Sequence, residues 1–362
     1  MIASGLSFYL MELFIIVTKK CNFRCRYCYE QKGSIAAKMS FADVKMALDF
    51  FLPHLGKSGA VRFFGGEPLL EADLLKKSIS YVRRKDKRIK ISVNTNGSLM
   101  DKKLLLFFVK NRVDLILSFD GGPDTQDANR PHADAKLSSY GIITGKDSFK
   151  HLSRYPFLQV NAVISMGRVA HLSQDVFHLA GLGFSRINLD AERERFWPDS
   201  KLDLLKKELV KVNTFALKNR SSLKLGHLEN YFEKRGTKKR KEVICPQKNR
   251  VALMPGGKIY PCNAILTIKS GNETTDLPFL YIKAIKSGKI SYAEFLKMKD
   301  GLYAQSLALF GQENSGLSLC DAINADHLKK DLKKISENEL KKNRIFTESI
   351  SRVLDKKLSG RR

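Results

Sequence analysis

The chain has 362 residues, 43% of them apolar, which is enough for a sizeable core and excludes a globally disordered protein. Its 64 basic and 37 acidic side chains leave a net charge of +27, which favours an anionic partner such as RNA, an acidic peptide or a membrane surface, with lysine-rich solubility as the plainer reading. Six cysteines, three of them on one short loop, leave too few for a disulfide framework and point to a reduced, cytoplasmic chain.

The first twenty residues lack a basic start and a small-residue cleavage site, and Glu12 interrupts their apolar run. Neither a signal peptide nor a transmembrane segment fits. The apolar, β-branched run 11–18 predicts the first strand. Met11 is an alternative start, and the short stretch ahead of it leaves no room for a separate leader-binding domain.

Cys21, Cys25 and Cys28 follow on the loop that leaves this strand, in C-x3-C-x2-C spacing. Three thiolates hold three corners of an iron–sulfur cube. A closed four-iron site needs four, so the fourth iron stays open. Zinc is the alternative, although structural zinc usually takes a second pair of ligands and none lies nearby. An inert group of buried cysteines is the plainest reading.

Ser40 and Asp43 form a capping box, and Val44, Ala47, Leu48, Phe51 and Leu52 recur at helical spacing up to Pro53. Strand 60–64 then ends in Gly65-Gly66-Glu67-Pro68. Glycines at a strand's end let backbone approach a ligand closely, and Pro68 opens the next helix. Helix 74–82, strand 89–94 with the turn Thr95-Asn96-Gly97, helix 101–110 and strand 113–119 follow, the last ending in Ser118-Phe119-Asp120-Gly121. A long connection, 122–146, carries Asp127-Ala128-Asn129-Arg130-Pro131. Helix 147–152, strand 158–164, helix 171–179 and strand 186–190 complete six strands alternating with helices, the pattern of a parallel β/α fold. In a parallel barrel, reactive side chains converge at the strands' C-terminal ends. Asn161 is polar within an apolar strand and either faces a pocket or satisfies a neighbour.

Residues 191–244 read as a charged helical linker. Beyond it, Cys245 and Cys262 flank a β-hairpin, with strand 249–254 turning at Pro255-Gly256-Gly257 and returning over 258–261. A hairpin brings its flanking cysteines together, and Cys320 completes the set. Three readings stay open: an auxiliary iron–sulfur cluster on Cys245, Cys262 and Cys320 with Asp321, Asp326 or His327 near its fourth site, a hairpin without metal, and zinc. Residues 245–327 are read as a small hairpin and helical auxiliary domain, and 328–362 as a basic amphipathic tail. Leu328, Leu332, Ile335, Phe346, Ile350, Val353, Leu354 and Leu358 form the tail's apolar stripe, which packs against the body or, on the sharper reading, meets anionic lipid or RNA.

The cysteine loop followed by Gly-Gly-Glu-Pro resembles the radical S-adenosylmethionine (SAM) enzymes. The resemblance implies an α/β fold, a partial (β/α)6 TIM-like barrel over 11–190, with a 4Fe–4S cluster on Cys21, Cys25 and Cys28. In that family SAM chelates the open iron, an electron cleaves its sulfonium, and a 5′-deoxyadenosyl radical abstracts hydrogen from the substrate. The resemblance also implies roles for individual residues. Tyr27 stands near the adenine, Gly65, Gly66, Glu67 and Pro68 form the motif that pairs with the SAM ammonium, Ser118 and Asp120 approach SAM, and Arg130 lies near its carboxylate. The histidine that precedes Asp-x-x-Arg in many peptide-modifying members is Gln126 here.

The C-terminal hairpin resembles the start of a SPASM or twitch auxiliary domain, truncated because the further cysteines of a full SPASM set are missing. The combination is most similar to SPASM/twitch peptide maturases, with a ribosomally made peptide or protein as substrate and a flavodoxin- or ferredoxin-type one-electron donor as partner. Sulfatase-type maturation fits less well, since those enzymes carry the full cysteine set. A twitch-type enzyme acting on a small molecule is the alternative, then an RNA-binding or RNA-modifying protein, then a cluster- and SAM-binding module without turnover. No residue stands out as a catalytic acid or base.

Overall fold

The computed structural model describes residues 10–28, 38–192, 196–235, 250–261, 280–282, 290–308, 338, 341–342, 344–346 and 348–354. Cys245, Cys262 and Cys320 lie outside the described residues, as do Asp321, Asp326, His327 and, in the tail's stripe, Leu328, Leu332, Ile335 and Leu358.

β1 (Leu10–Thr18) is the strand expected from its apolar run. Leu13, Ile15 and Val17 are fully buried on one face, and Phe14 and Ile16 are buried on the other. A strand covered on both faces needs a continuous apolar run rather than alternation. α1 (Phe41–Phe51) starts where Ser40 Oγ accepts from Asp43 N at 3.1 Å, and it buries the predicted Val44, Ala47, Leu48 and Phe51. β2 (Leu55–Gly65), α2 (Ala72–Lys85), β3 (Lys90–Thr95), α3 (Lys102–Lys110) and β4 (Asp114–Ser118) follow in the expected order. The stretch expected as one long connection holds two short helices, α4 (Pro123–Asn129) and α5 (Ser139–Thr144). Asp127 ties them, accepting from Ser138 Oγ at 2.6 Å, Ser139 Oγ at 2.8 Å and Tyr140 N at 2.8 Å. α6 (Phe149–Leu152), β5 (Leu158–Ile164), α7 (Leu172–Gly181) and β6 (Arg186–Ala191) complete the six expected units. The charged stretch after them is mostly helical, α8 (Asp199–Lys218) and α9 (Gly226–Arg235), but it also supplies a two-residue strand, β7 (Lys224–Leu225), that pairs parallel with β6.

The described strands form one sheet, and β1 to β7 pair in parallel along it. The helices pack against this mixed α/β sheet, which stays open as a partial TIM-like barrel. The C-terminal hairpin is part of the sheet. Its first strand, β8 (Arg250–Met254), runs parallel to β1 with Leu13 opposite Val251, and antiparallel to β9 (Lys258–Tyr260). β10 (Leu280–Tyr281) closes the far edge. β1 is clamped to both neighbours by charge. Glu12 pairs with Arg62 on β2 at 2.7 Å and with Arg250 on β8 at 2.6 Å, and both guanidinium groups lie over the Phe14 ring. α10 (Tyr292–Ala308) docks Phe295 edge-on against Phe50 and Phe51 of α1.

The described part of the tail packs against the barrel. Ile345, Ile350 and Val353 join the core. Asn338 binds the main chain of the fully buried Trp197 in both directions, accepting from Trp197 N at 3.1 Å and donating to Trp197 O at 2.9 Å. Lys342 is buried and donates from Nζ to Glu192 O at 3.1 Å, at the end of β6. Asn338→Ala strands two buried main-chain groups of Trp197, at about 1–3 kcal/mol each. A loss of about 2 kcal/mol or more is expected in chemical denaturation, and an unchanged midpoint would show that the tail does not hold the barrel.

Candidate active site

The loop after β1 is held at the sheet's C-terminal edge by main-chain contacts that only glycine permits. Gly66 N donates to Thr18 O at 2.9 Å and Glu67 N to Lys20 O at 2.8 Å. A Cβ at Gly65 would sit 2.3 Å from Thr18 O, and one at Gly66 would sit 2.3 Å from Lys20 O. Gly65 also has φ +145°, a conformation that other residues rarely adopt. The Gly-Gly pair therefore lets β2 end in contact with the start of the cysteine loop. Asn22 fastens the same loop to β3, donating to Ser98 Oγ at 2.8 Å and accepting from Asn96 Nδ2 at 2.9 Å.

Cys21, Cys25 and Cys28 line a cavity of about 290 Å³ together with Phe23, Tyr27, Gly65 and Gly66. The strands add to the lining: Phe64 on β2, Asn94 and Thr95 on β3, Ser118 on β4, Asn161 and Val163 on β5, and Asp190 on β6 followed by Glu192. Arg130 reaches the same space. Of the residues singled out in the sequence, the three cysteines, Tyr27, Gly65, Gly66, Ser118 and Arg130 meet here, whereas Glu67, Pro68 and Asp120 do not line it.

Glu67 is fully buried behind this lining. Its Oε1 accepts from Leu69 N at 3.0 Å and Thr95 Oγ1 at 2.7 Å, and its Oε2 from Asn96 N at 2.7 Å. A carboxylate held this way brackets the ends of β2 and β3, and at this motif the groups facing the cavity are those of Gly65 and Gly66. Pro68 opens a buried 3-10 turn. Asp120 is the centre of a second bracket. It accepts from Arg130 Nε at 2.9 Å, Asn129 Nδ2 at 3.0 Å, Val163 N at 2.9 Å and the Tyr27 hydroxyl in a short bond. Gln126 Oε1 accepts from Asp120 N at 2.8 Å, so Gln126 serves this bracket. Arg130 also stacks over the Tyr27 ring, 5.2 Å from its centroid.

The electrostatics follow from burial. Desolvation pushes the Cys21 thiol up to about 12, and it raises Cys25 as well, with Arg130 beside Cys25 opposing the shift. Burial raises the Tyr27 hydroxyl above its usual value. For Arg130 burial alone would favour the neutral form, but Asp120, Tyr27 and Cys25 outweigh it and its pKa stands above the ordinary value. Glu67 is raised to about 7 by burial, against the three donors it accepts.

These residues fit a cluster. Three soft donors share one cavity, and a cation stands beside them to compensate thiolate charge. A cubane seats its thiolates on separate irons, so it needs ligands that line a space rather than meet at a point. Because the buried thiols hold their protons, taking up a metal must release them.

Sequence reasoning missed Asn94, Asp190 and Glu192. Their signal was positional: each stands at the C-terminal end of a strand. Asn161, left between two readings, both lines the cavity and accepts from a neighbour, Asn188.

Asp120→Ala leaves the buried Arg130 charge without its carboxylate, and a loss of about 3–5 kcal/mol is expected in denaturant titration. Wild-type stability would mean that the bracket is dispensable. Glu67 carries a pH prediction. Its folded pKa of about 7 lies above the ordinary 4.5, so between these values the folded chain holds a proton that the unfolded chain has lost. Its contribution to stability falls as pH rises through that window and is flat above it. Glu67→Gln should flatten the slope between pH 4.5 and 7, and an unchanged slope would assign it to other groups.

Comparison with known proteins agrees with this geometry. Residues 15–137 match the model of the Radical SAM superfamily. An uncharacterized protein of Methanocaldococcus jannaschii, MJ0907, is 25% identical over 79% of this chain and 96% of its own length. The radical SAM cyclopropyl synthase TigE of Paramaledivibacter caminithermalis is 22% identical over 57% of this chain, which spans 46% of that enzyme. Among solved structures, native anSMEcpe with bound AdoMet and the Kp18Cys peptide superposes with a TM-score of 0.68 at 17% identity, covering 95% of this chain and 98% of that one. Among the described residues no helix is long and apolar enough to cross a membrane. Residues 15–137 thus carry a Radical SAM domain on the open barrel, and the cofactors that go with that domain are a 4Fe–4S cluster and SAM.

Proposed function

We propose that this enzyme modifies a peptide or protein in a reduced, cytoplasmic setting, and that Cys21, Cys25 and Cys28 hold its cluster. When bound, the cluster and SAM supply one-electron reductive cleavage of a sulfonium and hydrogen-atom abstraction from the substrate. The observation that carries the reading is the shared cavity, lined by three cysteines and by polar residues of four successive strands.

Each side of the cavity has its own task. Arg130, held by Asp120, presents a fixed cation for a carboxylate. Ser118 offers a hydroxyl beside it, and Gly65 and Gly66 offer bare main chain. Phe23, Phe64 and Val163 exclude water, which protects a reactive carbon-centred species from quenching. Tyr27 is held by Asp120 and keeps its proton, so its role is to pack and orient.

A peptide substrate is supported by the bound peptide in the anSMEcpe structure and by a net charge of +27, which suits an acidic leader. Domain roles follow the sequence reading: 11–190 for radical chemistry, 191–244 as a linker, and 245–327, with Cys245, Cys262 and Cys320, for an auxiliary cluster. The electron comes from a flavodoxin- or ferredoxin-type donor.

Anaerobically reconstituted, dithionite-reduced protein should convert SAM to 5′-deoxyadenosine. A Cys21/Cys25/Cys28→Ala variant should lose this conversion by more than a hundredfold. No 5′-deoxyadenosine from wild-type protein of verified four-iron content would sink the catalytic reading.

A further inference from the structure

Asn161 on β5 and Asn188 on β6 are opposite one another in the parallel ladder, and Asp190 lies two residues beyond Asn188 on the same face. Asn188 Nδ2 donates to Asn161 Oδ1 at 2.8 Å and to Asp190 Oδ2 at 3.1 Å. A carboxylate has no proton to give, so the Asn188 group facing Asp190 is its NH2. That assignment sets the next one. The atom of Asn161 facing the same NH2 is its oxygen, and its own NH2 is left for the cavity that both Asn161 and Asp190 line. Among the described residues the second oxygen of Asp190 is likewise left over. The wall thus shows a donor and an acceptor on neighbouring strands, and their polarity is dictated by Asn188. Across β4 from them, Asn94 lines the same cavity.

A residue in an extended peptide points its N–H and C=O to the same side, which is how paired residues of an antiparallel ladder exchange two hydrogen bonds. We propose that Asn161 and Asp190 form a backbone-reading edge, in which Asn161 Nδ2 donates to a substrate carbonyl and Asp190 accepts the N–H of the same extended residue. The edge positions the substrate chain in the cavity that the cysteines line and is indifferent to side-chain identity. It rests on the peptide reading above and deepens it.

The test uses the full, cluster-reconstituted chain with SAM present. The probes are N-acetyl-trialanine N′-methylamide and the same peptide N-methylated at its central amide, followed by saturation-transfer NMR. Wild-type protein should bind the unmethylated peptide at least tenfold tighter. Asp190→Asn keeps the shape but turns its cavity-facing acceptor into a donor, and Asn161→Ala removes the donor. Both should reduce the tenfold preference to less than twofold. A preference unchanged in both variants overturns the edge. SAM affinity, measured in parallel by equilibrium dialysis, separates a second case: a tenfold fall in both variants reassigns the pair to the SAM ribose hydroxyls and overturns the proposal. Failure of wild-type protein to bind either peptide, with SAM cleavage intact, overturns the peptide reading itself and the edge with it.

Discussion

One buried carboxylate organises the site. Asp120 gathers Tyr27 from the cysteine loop, Asn129 and Arg130 from α4 and its exit, and Val163 from β5, so three segments share the hydrogen bonds of one carboxylate. A buried charge is tolerated only when it is paired and its lone pairs are met. Asp120 satisfies both conditions, and the result is specificity of arrangement more than stability. Arg130 faces the cavity because Asp120 holds it there. Glu67 does the same job one level below for the ends of β2 and β3. The cavity is therefore framed by two enclosed carboxylates, neither of which lines it.

The sequence carried the framework well where local rules govern. The run 11–18 predicts β1 because a strand buried on both faces reads as a continuous apolar run, here 13–17, and the Ser40 cap with apolar residues at helical spacing predicts α1. It carried less where tertiary contacts decide. α4 and α5 are too short to be periodic, and the carboxylate of Asp127 holds them together. β7 is two residues long and exists because β6 offers an edge. For the site, residue types were legible and directions were not. Glu67 and Asp120 stand in recognised motifs, but the path of each loop turned both away from the space that Gly65, Gly66, Ser118 and Arg130 face. Glu192 was lost inside a charged stretch that reads as linker, and its main-chain carbonyl is fixed by the nearby Trp197 Nε1 and by Lys342 Nζ, which lies far along the chain.

The placement of chemistry follows from strand direction. In a parallel sheet all C-terminal ends share one edge, so polar residues that would break an apolar strand in its middle collect there. Asn94, Ser118, Asn161 and Asp190 are such residues, one each on four successive strands. The loop after β1 supplies the only sulfur in the cavity among the described residues. The cysteine loop and these polar residues thus meet at one edge of the sheet, each supplied by a different strand.

The pairing of Arg250 and Val251 with Glu12 and Leu13 joins the beginning of the barrel to a segment made much later. During translation β1 emerges first and can pair with β2 at once, but its other edge stays bare until the hairpin has left the ribosome. Closing so large a loop is slow, because chain entropy must be lost before the new contacts form. The cysteine loop, by contrast, is fastened to β2 and to the turn after β3, so its own frame is complete before the outer edge of β1 is covered.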